Sequence, residues 1–266
     1  GSAGFGGLND LFAKDASGKN PSLLVGAPST KDSDSDHADG SVFVLGSKKA
    51  AEAIYTGADL NDPKKFDGVE QQIAEIKLDT SLVSGSDGQN WSIGGAITGG
   101  EGSKNKPAEN VYAFTARSSK KDAVIAATAG NLADAVTDGA FDPGNAVALT
   151  AQYVVQNGSD WTEADLEGFG ASVAVGNVDG EGLPEVVVGA PGGGYVVVFK
   201  LKADGTGIDS FGYLEPGGGH DGIGFGQSVL VEDFDGDGKH DIVVGAPQDV
   251  PAPERAPESD PARSEE

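Results

Sequence analysis

The chain has 266 residues, no cysteine and no methionine, and 42 acidic against 18 basic residues, for a formal charge of -24. Without cysteine there are no disulfides, thiolate metal sites or cysteine nucleophiles, and the negative charge argues against nucleic acid or an anionic membrane surface as partner. No apolar run of about 18 residues is present to insert into a bilayer, and a start at GSAGFGG reads as a processed form, a tag remnant or a fragment.

The first unit spans about residues 4–65. It carries an aromatic-glycine pair at Phe5-Gly6, a turn at Gly26-Ala27-Pro28, and two further apolar runs, SVFVL and EAIYTG, expected as its third and fourth strands. Lys14, Ala16, Gly18 and Ser22 line its first loop, which is therefore expected to be structural. The run Asp32, Asp34, Asp36 and Asp39 lacks a bending glycine and reads as a solvated acidic excursion.

A second unit, about 66–118, is expected to open at Phe66 and continue through the strand IAEIKL. Its loop sets Asp87-Gly88 beside Val83, Gly85 and Trp91, too few ligands to hold a cation well. Residues 119–167 have two readings: an eroded third unit, or an outer strand of the second unit plus an insertion with NLADAVTDGA as a short helix. The first is favoured, because NAVALTAQYVV offers two more strands.

The next unit, 168–223, is plain: GFGASVAVGNVDGEGLPEVVVGAP, then YVVVFKL and SFGYL. The last, 224–247, reads GFGQSVLVEDFDGDGKHDIVVGAP and stops after two strands. Residues 248–266 are rich in Pro and Glu and are expected to be a disordered tail or linker.

The acidic loop of the last unit has the spacing of a cation site. Asp233, Asp235 and Asp237 alternate, Gly238 permits a bend, the Lys239 carbonyl adds an oxygen and Asp241 closes the shell, which suits the six to eight oxygen ligands of Ca²⁺. An EF-hand is excluded at the far end, where Val244 stands in place of the bidentate Glu that opens a helix. Two carboxylates at 4 Å repel by about 1 kcal/mol in water and about 4 at an effective dielectric of 20, so calcium is expected to be part of the fold. The preceding unit offers Asn177, Asp179, Glu181, the Leu183 carbonyl and Glu185, with two longer glutamate arms and weaker binding expected.

Phe169 to Phe225 is 56 residues and Phe5 to Phe66 is 61, the length of a four-stranded unit, and such a period is a propeller signature. The fold class expected is all-β, a β-propeller of four-stranded blades with about four and a half blades visible, either incomplete or completed by another chain.

Phe169-Gly170 with Gly189-Ala190-Pro191, and Phe225-Gly226 with Gly245-Ala246-Pro247, each enclosing an acidic loop, resemble the FG-GAP repeat of integrin α-subunit propellers and of secreted bacterial proteins. The resemblance is partial at Phe5-Gly6 and faint between Phe66 and Ala151. It implies a calcium-stabilised extracellular scaffold, secreted or on the cell surface, with structural calcium and a protein or glycan ligand bound on the face opposite the calcium loops.

The function expected is thus a non-enzymatic adhesion or recognition module. No G-x-S-x-G, H-E-x-x-H or phosphate-cradling loop is present. The alternatives are an accessory propeller of a larger secreted, phospholipase D-like hydrolase, which would make an adjoining domain the partner, or a self-assembling subunit of a surface layer or filament. His37, His220 and His240 are expected to be ordinary solvated residues. Trp91, Trp161, Tyr195 and Tyr213 fit a core role better than a sugar site.

Overall fold

In the computed structural model, residues 12–14, 21–28, 40–45, 73–83, 91–102, 109–119, 121–217 and 224–247 are described. The chain is mostly β and builds successive antiparallel sheets. The first contains β1 (Phe12–Lys14), β2 (Pro21–Ala27), β3 (Ser41–Leu45) and β4 (Ile73–Leu78). The second runs β5 (Ser92–Gly100), β6 (Val111–Arg117), β7 (Asp122–Thr128), and β9 (Val147–Thr150), while β8 (Ala140–Phe141) pairs parallel to β4 as a fifth strand of the first sheet. The third is β10 (Ser172–Gly176), β11 (Glu185–Ala190), β12 (Tyr195–Leu201) and β13 (Ile208–Leu214). The fourth is the hairpin β14 (Ser228–Glu232) and β15 (Asp241–Gly245).

The pairing corrects three sequence expectations. IAEIKL does not belong to a second unit. It is β4, the fourth strand of the first sheet, with Val42 opposite Ile76; Ile76 is buried between exposed Glu75 and Lys77, as suits a strand covered on one face. The stretch from Asp122 is not an eroded unit but β7, third strand of the second sheet. Both β6 and β7 are buried on both faces, so their continuous apolar runs carry no periodicity to tell a second strand from a third.

NAVALTAQYVV supplies one strand, not two. Thr150 accepts a hydrogen bond from Tyr153 N at 3.1 Å and caps helix α2 (Ala151–Asn157), which ends the sheet. NLADAVTDGA does form a helix, α1 (Ala129–Asp138), capped by Thr128 and stopped by Gly139 in the left-handed region. Phe5, Phe66, the acidic run 32–39, the EAIYTG strand and the 248–266 tail lie outside the described residues.

Three apolar layers join the sheets in order. Ile93, Phe114 and Ile125 of the second sheet pack on Leu24, Val42 and Ile76 of the first. Phe169, Val186 and Val188 of the third pack on Val111, Val124 and Leu149 of the second. Phe225, Val229, Val231 and Ile242 of the fourth pack on Ala174, Val187 and Val196 of the third. Ile93-Gly94 therefore occupies the place of Phe169-Gly170 and Phe225-Gly226 in the second sheet.

Two of the three joints, first to second and third to fourth, are closed by a pair of glycines. Gly94, at φ 85°, and Gly226, at φ 89°, are left-handed. A Cβ on Gly94 would lie 2.7 Å from Gly26 Cα and 3.4 Å from Ser41 O, and one on Gly226 would lie 3.2 Å from Gly189 Cα and 2.9 Å from Tyr195 O. The glycine of each Gly-Ala-Pro turn thus receives the glycine of the next unit, and side chains on either would hold the sheets apart. Leu230 and Val243, at the register of Ala174 and Val187, are 54% and 48% exposed, because no further sheet covers that face among the described residues.

A Cβ on Gly189 would collide with Gly226 O and Ser172 Oγ, whereas nothing lies near one on exposed Gly212. Gly189→Ala should therefore cost about 1–3 kcal/mol in urea unfolding, and Gly212→Ala should stay within about 0.5 kcal/mol of the parent.

Candidate metal centre

The hairpin register defines two equivalent loops. Gly176 opposes Glu185 and Glu232 opposes Asp241, so residues 177–184 and 233–240 are turns of equal length at the same end of their sheets. Asp241 and Glu185 open the returning strands and each reaches back across its own turn. Asp241 Oδ2 accepts from Phe234 N at 3.1 Å, and Glu185 Oε2 accepts from Val178 N at 2.8 Å.

In the last loop the aspartates are wound inward by the backbone they bond. Asp233 Oδ1 accepts from Gly236 N at 2.8 Å and Asp237 N at 3.1 Å, and its Oδ2 accepts from Gly238 N at 3.0 Å. Asp235 Oδ1 accepts from Asp237 N at 3.0 Å, and Asp237 Oδ1 from Lys239 N at 2.8 Å. Gly236 and Gly238, at φ 79° and 91°, make this coil accessible. The result places one carboxylate oxygen from each of Asp233, Asp235 and Asp237 within 4.8 Å of the others, the one acidic cluster of this kind among the described residues. Converging hard oxygens on a flexible loop are what Ca²⁺ requires.

The loop of the third sheet is assembled differently. Leu183 is buried in the layer against the second sheet and anchors the turn, and Glu185 is only 3% exposed. Burial pushes the Glu185 carboxyl up, the charge of Asp179 adds to this, and the Val178 N–H opposes both. Two buried oxygens of this loop, Asn177 Oδ1 and Glu185 Oε1, have no hydrogen-bond partner. Such atoms are costly to bury unless a cation or water satisfies them, so the donor set fits a metal.

Glu181 is exposed; its N–H donates to Asp179 Oδ1 at 2.7 Å. Its carboxylate does not join a three-acid cluster.

Sequence reasoning missed two residues of this centre. Lys200, on β12, forms an ion pair with Asp179 Oδ2. Burial raises Asp179, but the Lys200 ammonium, the Glu181 N–H and the charge of Lys239 outweigh it and hold the carboxyl low; the same bond to Asp179 pushes Lys200 up. A resident ammonium thus competes with any metal at this loop. Nothing local signals it, since Lys200 meets the turn only through the β11–β12 register.

His240 is the second. It is half-buried, its backbone N–H donates to the Asn177 carbonyl at 2.9 Å, and a Cβ on Gly176 would lie 2.5 Å from its Nδ1, so it ties the two loops together rather than sitting free in solvent. Trp91 also departs from its expected place. It is buried in the first layer just before β5 and closes no loop, because the turn equivalent to the acidic loops in the second sheet is 101–110, of which 103–108 lie outside the described residues.

The FG-GAP repeat family model matches residues 169–207 and 225–255, each segment beginning at the phenylalanine of an aromatic-glycine pair and enclosing one of the two loops. A comparison with curated proteins finds no match.

Two tests separate the loops. Lys200→Met should raise calcium affinity at the third-sheet loop, read as a tighter second step in calorimetric titration while the first is unchanged. Glu185 has a raised value in the fold, so the calcium-free chain should lose stability as pH rises from the ordinary carboxyl range through that value. Asp179, held low, contributes stability at neutral pH that is lost as pH falls. Glu185→Gln should therefore raise the neutral-pH melting temperature in chelator while reducing the gain on adding calcium.

Proposed function

We propose that this FG-GAP repeat protein is a calcium-stabilised, integrin-like recognition module that works outside the cell. Calcium in this reading is structural. Asp233, Asp235, Asp237 and Asp241, with the Lys239 carbonyl, would hold one ion, and Asn177, Asp179, Glu181 and Glu185, with the Leu183 carbonyl, a second. The observation that carries the reading is the convergence of the three aspartates of the last loop, and the unpartnered buried oxygens of Asn177 and Glu185 support it.

An ion would supply the positive charge that these carboxylates lack, and the chain's own groups do the rest. Backbone N–H donors of 234–239 orient the carboxylates. The His240 N–H and Asn177 carbonyl bind one loop to the next, so that filling either loop stiffens the joint between the third and fourth sheets. No catalytic residue belongs to this reading.

The opposite end of the third sheet's first hairpin carries a Gly-Ala-Pro turn, against which the 164–168 segment packs through Gly192 N–H and Glu167 O, and in this reading that end meets a protein or glycan partner. The extracellular assignment rests on the family and on millimolar calcium being an extracellular condition that weak sites can exploit. Among the described residues no helix is long and apolar enough to cross a membrane.

Thermal unfolding with millimolar calcium and with chelator tests the proposal. Calcium should raise the midpoint of the parent, and Asp235→Ala should remove more of that rise than Asp179→Ala, whose site already holds Lys200. An unchanged midpoint in all three proteins would contradict it.

A further inference from the structure

The face opposite the acidic loops carries a cluster of three aromatic rings at the edge of the core, Trp161 packing partly against it. Tyr195 begins β12 and Tyr213 lies on β13; since Val197 opposes Tyr213, both tyrosines sit on the sheet face that further along buries Val197, Phe199 and Leu201. At this end the neighbouring sheet no longer covers that face, and Tyr213 is 50% exposed. Trp161 reaches over it from the segment after α2. Its ring centroid is 4.9 Å from that of Tyr195 and 4.9 Å from that of Tyr213, which are 5.9 Å apart, with interplanar angles of 63°, 82° and 72°.

The backbone is shaped to present the indole. Asp160, immediately before it, is the one non-glycine residue with positive φ among the described residues, at 66°, a conformation that costs free energy and clusters at functional positions. A Cβ on Gly158 would lie 2.6 Å from Trp161 Cδ1, so a side chain there would displace the ring.

The surroundings are anionic. Asp165 is fixed by Thr162, whose N–H and Oγ1 donate to Asp165 Oδ2 at 2.8 and 2.7 Å, and these bonds hold its carboxyl low. Burial pushes the Tyr195 phenol up, and the charges of Glu215 and Asp165 add to this.

Rings set nearly at right angles offer converging π faces rather than one flat platform. Their negative quadrupoles and the adjacent carboxylates attract the same thing, a soft cation with little hydration to lose. We propose that Trp161, Tyr195 and Tyr213 form a recognition site for a quaternary or methylated ammonium group. Carbohydrate stacking would prefer a single open ring face. The inference deepens the recognition role proposed above by naming a ligand chemistry, and rests on it.

The test is a tetramethylammonium titration of the calcium-loaded chain, followed by the two indole N–H signals in NMR and matched against sodium chloride. The Trp161 signal, identified by its loss in Trp161→Phe, should move saturably while that of buried Trp91 stays. Tyr213→Ala, at an exposed position, should weaken binding about fivefold or more, and Tyr213→Phe should retain it. Phosphocholine and a trimethyl-lysine peptide, titrated in parallel, distinguish a lipid or polymer headgroup from a modified protein as the source. An unmoved Trp161 signal, an equal shift with methyl glucoside, or undiminished binding by Tyr213→Ala would overturn the proposal. The calcium-dependent rise in melting midpoint, measured on the same samples, reports on the earlier reading alone.

Discussion

The constraint on which the structure turns is electrostatic. A chain of charge -24 gathers Asp233, Asp235, Asp237 and Asp241 in one turn and Asp179, Glu181 and Glu185 in another, at the same end of adjacent hairpins. Backbone N–H donors orient these carboxylates but carry no net charge to offset their repulsion. In the proposed function a cation completes each turn. In the third sheet the chain supplies part of the answer itself through Lys200 and through Lys239, whose side chain the last turn lays against Gly180, while the carboxylates of the last turn are met by backbone N–H groups. The two loops share a geometry and differ in how much of the counter-charge is built in.

What lies between those loops and the rest of the molecule is a repeated steric fit. A glycine of one turn meets a glycine of the next unit at Gly26 and Gly94, and again at Gly189 and Gly226. That contact lets those sheets close to packing distance, so that Val, Ile and Phe from facing strands form the first and third apolar layers, while in the second Gly170 faces Val124 instead of a glycine. The loops then hang from strands whose spacing is already set, and the His240 to Asn177 hydrogen bond couples them across the last joint.

The third and fourth units were legible because both halves of their signature survive, and the two acidic loops lie where their spacing placed them. The second sheet was misread for a definite reason. Ile93 stands for the aromatic residue and Ala116-Arg117-Ser118 for the closing turn, so the marks that set the unit boundary are gone, and buried strands of equal apolarity cannot be ordered by period. Thr150 stops a strand by capping a helix, a choice between two local structures that VALTAQYVV permits equally. Lys200 and His240 are long-range partners with no motif. The aromatic residues Trp161, Tyr195 and Tyr213 read as core in the sequence, and Trp161 does pack partly on the core; only the β12–β13 register shows that the two tyrosines share a face with it at the sheet's end.

The account's central claim is that a cation in the acidic loops is part of the fold and not an adornment of its surface. Amide hydrogen exchange with calcium and with chelator tests it most directly. The account predicts that calcium raises protection not only in 177–184 and 233–240 but along β10, β11, β14 and β15, because the loops fix the hairpins that meet at the Gly189 and Gly226 joint. Equal exchange in those four strands under both conditions would contradict it.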